Sequence, residues 1–168
     1  MRSSVAFLAL FFCFAVCADN LTVGFISVPT HGHIRPIKTL AEAVSARGHK
    51  VVVFSAFEAQ ARIGDVADTF YSLGNVTTEE IIVRALGKEV DTPQITDLPF
   101  MFAEIERTFL QGLVPLFNEL KSKQELPDVL IVDFMTFGGF DIADAYGIPV
   151  IGTLPGLYPP QYYRPNWL

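Results

Sequence analysis

The chain has 168 residues, a formal net charge of −6 and 51% hydrophobic residues. That length suffices for one domain with a real core. An acidic balance without a basic cluster argues against nucleic acid as a partner.

The first eighteen residues read as a secretory signal peptide. Arg2 precedes an apolar run over 5–16, and Val16-Cys17-Ala18 offers small residues at the cleavage positions. The run is short for a membrane span. Cleavage after Ala18 sends the chain to the endoplasmic reticulum lumen or out of the cell. It also removes Arg2 and no acid, moving the net charge from −6 to −7. Cys13 and Cys17, the only cysteines, leave with it, which excludes disulfides and cysteine metal sites from residues 19–168. Asn20-Leu21-Thr22 and Asn75-Val76-Thr77 match the N-glycosylation sequon, and Asn75 is the better placed acceptor.

Leu21, Val23, Phe25, Ile26 and Val28 form a short apolar run closed by Pro29. Such a run suits a strand covered on both faces, as in a parallel sheet. A loop over 30–36 follows, and from Pro36 the residues Ile37, Leu40, Ala41 and Val44 fall at helical spacing. Arg47 suits the negative end of that helix and Gly48 stops it. Residues 50–54 read as a second strand, completing a right-handed βαβ unit.

The α/β alternation continues. Residues 58–63 suit a short helix and 68–73 a third strand. Thr77 with Glu80 has capping-box spacing for a helix over 77–90. Residues 92–97 read as a linker. Asp97 then caps a long helix with Pro99 in its first turn, and Pro115 is expected to kink or divide it. Phe102, Ile105, Phe109, Leu113, Leu116 and Phe117 make one apolar face, read as core packing. The alternative is that Phe100, Phe102 and Phe109 line an apolar pocket. Residues 129–133 form a strand ending in Asp133, 136–146 a helix containing Gly138-Gly139, and 148–153 a fifth strand. Residues 154–168 read as loop. The fold class is α/β, an open parallel Rossmann-like sheet with helices on both faces.

Chemistry concentrates at the C-terminal edge of that sheet, where open α/β folds bind ligands. His33 follows the first strand and Asp133 ends a later one, so an imidazole and a carboxylate can meet there. A carboxylate on one ring nitrogen fixes the tautomer and stabilises the imidazolium, and the other nitrogen then takes a proton from a hydroxyl. Each residue alone has a plainer reading, His33 as a turn residue and Asp133 as a helix cap.

Gly32-His33-x-x-Pro36, then Leu40-Ala41 with Arg47-Gly48-His49-x-Val51, then Val132-Asp133 followed by Gly147-Ile148-Pro149 occur in that order. Together they resemble the N-terminal domain of the family 1 glycosyltransferases, the UDP-glucosyl- and UDP-glucuronosyltransferases, over roughly 21–157. The resemblance implies the N-terminal half of a GT-B fold and inverting, metal-free transfer of a hexose or hexuronic acid. Its acceptor is a hydroxyl of a small apolar molecule, with His33 as general base oriented by Asp133. It also implies Val28, Met135 and Thr153 near the acceptor, His49 in a structural turn, and UDP-sugar as co-substrate with no cofactor. The family's nucleotide-sugar signature and C-terminal membrane anchor are not found in the sequence. Residues 19–168 are thus expected to be a partial acceptor-binding domain, inactive alone. Membrane association would come only through an uncleaved signal or a missing anchor.

Two other classes compete. A secreted, non-catalytic binding module is one. A metal-dependent hydrolase using His31 and His33 is the other, and it needs ligands beyond three histidines and Asp133.

Overall fold

The structure is a computed structural model that describes residues 20–87 and 94–154. The signal-peptide reading over 1–18, the end of the helix expected over 77–90, the start of the 92–97 linker and the tail beyond 154 lie outside the described residues.

Five strands, β1 (Thr22–Ile26), β2 (Lys50–Ser55), β3 (Thr69–Ser72), β4 (Val129–Asp133) and β5 (Val150–Thr153), form one sheet in the order β3-β2-β1-β4-β5. Every pairing is parallel. The helices are α1 (His31–Ser45), α2 (Gln60–Ile63), α3 (Thr78–Leu86), α4 (Leu98–Lys123) and α5 (Gly138–Tyr146). This is the open Rossmann-like α/β sheet that the apolar runs predict.

Alternate strand residues feed two cores. Val23, Phe25, Val51, Val53 and Ile131 pack against Ile34, Ile37 and Ala41 of α1 and Ile63 of α2. Ile26, Val52, Phe54, Leu130 and Val132 face the other way, onto Ile105, Phe109, Leu113 and Phe117 of α4 and Ile142 of α5. Each fully buried large side chain contributes about 1.5–3 kcal/mol. Doubly covered strands explain why the sequence shows continuous apolar runs rather than alternation.

Several boundaries differ from expectation. The segment over 30–36 is not a loop: α1 starts at His31, with Thr30 extended at the cap position and Pro36 inside the helix. The helical spacing read from sequence begins only at Pro36, where proline at a helix start would be tolerated. Instead it lies in the second turn and gives up the bond to the Gly32 carbonyl. Pro115 does not divide α4, which runs unbroken for 26 residues. Pro115 and Gln111, whose carbonyl loses its partner, are both exposed, while the opposite face stays buried. Asp97 does not cap α4 through its side chain, because its carboxylate accepts the Gln94 N–H at 2.8 Å. The Thr77–Glu80 capping box is present, and Gly87 in the left-handed conformation follows Leu86, the last residue of α3. The last strand begins at Val150 rather than at 148.

Candidate active site at the sheet switch point

The chain leaves β1 toward β2 on one side, and the later strands β4 and β5 lie on the other. The order therefore reverses between β1 and β4, and a crevice opens beyond their carboxyl ends. Because α1 begins at His31, His33 sits in its first turn directly above β1, beside the end of β4 where Asp133 lies.

His33 Nδ1 is 2.7 Å from Asp133 Oδ2 and 3.0 Å from Oδ1. Asp133 is completely buried, and the His33 side chain is 18% exposed. An ionised carboxylate only accepts, so against one Nδ1–H donates, and in the neutral ring Nε2 then holds the lone pair. Nε2 has no hydrogen-bond partner among the described residues. A buried carboxylate is costly unless its oxygens are satisfied. Here Oδ1 also accepts the Met135 N–H at 3.2 Å, and Oδ2 accepts the Ser27 hydroxyl at 3.1 Å. Ser27 was not legible as a site residue. Its only signal is that it interrupts the apolar run between Ile26 and Val28.

An aromatic strip adjoins the imidazole. The Phe134 ring is 5.5 Å from His33, and Phe102 lies 6.3 Å from Phe134 and 6.0 Å from Phe137. The structure thus divides the three phenylalanines weighed from sequence. Phe109 is core, Phe102 belongs to the strip, and Phe100 is 61% exposed. Glu106, one turn beyond Phe102, accepts the Gly138 N–H at 2.7 Å at the start of α5. Burial raises its carboxyl above the usual glutamate range, the Gly138 bond opposes this, and Asp141 adds to it.

The residues expected near an acceptor are placed unevenly. Met135 and Thr153 are partly exposed at the sheet edge, with the Thr153 hydroxyl donating to the Val132 carbonyl at 3.3 Å. Val28 is only 2% exposed and packs in the core. His49 accepts the Leu21 N–H at 3.3 Å, a turn contact. His31 is exposed and lines a cavity of about 420 Å³ with Ile34, Arg35, Lys38 and Arg62. Among the described residues no group of three His, Cys, Asp or Glu side chains is placed to hold a metal ion.

No protein-family model matches the chain. Among curated proteins, it is 26% identical over 132 residues to the NDP-glycosyltransferase YjiC of Bacillus subtilis, covering 77% of this chain and 30% of that protein. It is 24% identical over 153 residues to the UDP-glycosyltransferase UGT4 of Dactylopius coccus, covering 89% and 29%. Among solved structures, the glycotransferase of kitacinnamycin superposes with a TM-score of 0.63 at 22% identity, covering 86% of this chain and 33% of that one. The chain is similar to the glycosyltransferases and carries part of their GT-B fold. This glycosyltransferase-like chain spans about 30% of the length of the curated relatives it matches.

Proposed function

We propose that the chain supplies the acceptor side of an inverting, UDP-sugar-dependent glycosyltransferase, with His33 as general base and Asp133 as its orienting carboxylate. The observation that carries this reading is the 2.7 Å contact between His33 Nδ1 and the fully buried Asp133. It leaves Nε2 as the basic nitrogen.

In the proposed reaction, Nε2 takes the proton of an acceptor hydroxyl as that oxygen attacks C1 of the sugar. The C1–O bond to the diphosphate breaks, and UDP leaves with the electron pair. The imidazolium formed is stabilised by Asp133, which stays ionised. One displacement at C1 inverts its configuration. Phe134, Phe102 and Phe137 favour an apolar or aromatic acceptor, because Phe134 lies beside the base, Phe102 and Phe137 extend the strip from it, and Phe137 is half exposed. Met135 and Thr153 would line the same rim, with Val28 packed beneath it.

The nucleotide sugar, a hexose or hexuronic acid donor, is assigned to a second domain that the described residues do not contain. Residues 1–18 as a cleaved leader, 19–168 as an acceptor-binding domain, and residence in the secretory pathway belong to the same proposal.

The test joins this chain to the nucleotide-sugar domain of a related glycosyltransferase. Supplied with α-linked UDP-glucose and a phenolic acceptor, the fusion should release UDP and form a β-glucoside. A product that keeps the α linkage would overturn the single-displacement mechanism.

A further inference from the structure

The strand register gathers polar side chains into one rung at the site. Ile26 pairs with Val132 and with Phe54, so the next residues, Ser27, Asp133 and Ser55, stand side by side. Ser55 pairs in turn with Ser72, and Asp133 with Thr153. The rung below is apolar at its centre, with Phe54, Ile26 and Val132 all fully buried. Ser27, Ser55 and Asp133 are as deeply buried as those neighbours. Hydroxyls at that depth cost stability unless they are bonded. Both serines are bonded, and their bonds lead toward the carboxylate. Ser55 Oγ–H donates to the Ser27 carbonyl at 2.6 Å, and Ser27 Oγ lies 3.1 Å from Asp133 Oδ2.

We propose that Ser27 is a positioning residue, whose hydroxyl fixes the Asp133 carboxylate and through it the Nδ1–H tautomer of His33. This inference rests on the reading of His33 and Asp133 as base and orienting acid. Ser27 has one proton and two acceptors in reach, Asp133 Oδ2 and the Val28 carbonyl at 3.2 Å. The charged oxygen is the stronger acceptor. With Met135 N–H on Oδ1 and Ser27 on Oδ2, each carboxylate oxygen is tied to the chain before His33 adds its own bond. The carboxylate cannot then rotate about Cβ–Cγ without breaking one of these. The Ser55 bond holds the backbone from which Ser27 projects. Removing the Ser27 hydroxyl leaves Oδ2 with His33 alone, so the Met135 N–H on Oδ1 is the one remaining bond from the chain backbone that holds the carboxylate against rotation.

The experiment uses the 168-residue chain labelled with ¹⁵N-histidine, in which three rings are observed. NMR reads the tautomer of His33 and the solvent exchange of its Nδ1 proton, a signature that a merely structural role for Ser27 would not move. Wild type should show a slowly exchanging Nδ1 proton that Asp133→Asn abolishes. Ser27→Ala should speed exchange on the order of tenfold, the factor that one charge-assisted hydrogen bond commands. Ser27→Cys, with similar volume and a weaker donor, should fall between them. A wild-type His33 without Nδ1 protonation would sink the base reading itself. A protected proton in wild type that exchanges equally slowly in Ser27→Ala would overturn the role of Ser27 and leave the base reading standing. Should the alanine variant not fold, the cysteine variant carries the same comparison, and exchange equal to wild type has the same meaning.

Discussion

His33 and Asp133 are 100 residues apart in sequence, yet their side chains meet at 2.7 Å. The meeting follows from the topology. Parallel pairing of β1 with β4 sets Asp133 beside the residue that follows β1, and α1 starts early enough to bring its third residue back over that position. Had α1 begun at Pro36, His33 would have stood in a loop with no fixed direction.

The same close packing makes Gly139 intolerant of a side chain. A Cβ there would sit 2.7 Å from Val132 Cγ1 and 3.2 Å from Ile26 Cδ1, both inside the core below the site. Gly139→Ala should destabilise by about 1–3 kcal/mol, the usual cost of overpacking. Thermal melting checks this, and an unchanged midpoint would mean that α5 sits farther from the sheet.

Thr77 closes the other end of the argument from sequence to local structure. Its hydroxyl accepts the Glu80 N–H at 3.2 Å, and Glu80 accepts the Thr77 N–H at 2.9 Å. Thr77→Ala should cost about 1 kcal/mol. Denaturant titration of the two proteins reads the difference.

These two sites mark what the sequence could and could not reveal. The capping box is local, so its spacing announced it. The strand ending in Asp133 was equally plain, because Val129 to Val132 form a continuous apolar run closed by that carboxylate. Ser27 was invisible, since its partner is set by the pairing of two strands more than a hundred residues apart. Phe134 and Phe137 were missed because they sit in a turn, outside any periodic pattern. The start of α1 was not legible, because the helical apolar spacing begins only at Ile37 while the helix starts at His31.

Glu106 should give the fold a measurable pH dependence. Burial, with Asp141 adding to it, raises its carboxyl above the ordinary value near 4.5 against the Gly138 bond. A carboxyl raised in the folded state contributes stability that is fully present below the unfolded value and is lost as pH rises through the folded one. Glu106→Gln keeps an oxygen for the Gly138 N–H and abolishes the titration. The variant should therefore gain on wild type as pH rises from about 4.5. Melting midpoints measured across that window test it. A gap that narrows with rising pH would contradict the assignment.

The leader reading makes an independent prediction. Protein secreted by a eukaryotic host should begin at Asp19, with the apolar run over 5–16 removed. Amino-terminal sequencing decides this, and a chain still starting at Met1 would refute it.

The central claim is tested most directly by kcat in the fusion to a nucleotide-sugar domain. His33→Ala should lower kcat by ~10²–10⁴-fold, the usual contribution of a general base, with KM for the UDP-sugar little changed. Asp133→Asn should cost less, and the double variant should be little worse than His33→Ala alone, because the two residues act as one unit. His31→Ala should be mild, since that ring faces the Arg35 and Lys38 side of α1. A His33→Ala fusion turning over at the wild-type rate would contradict the account.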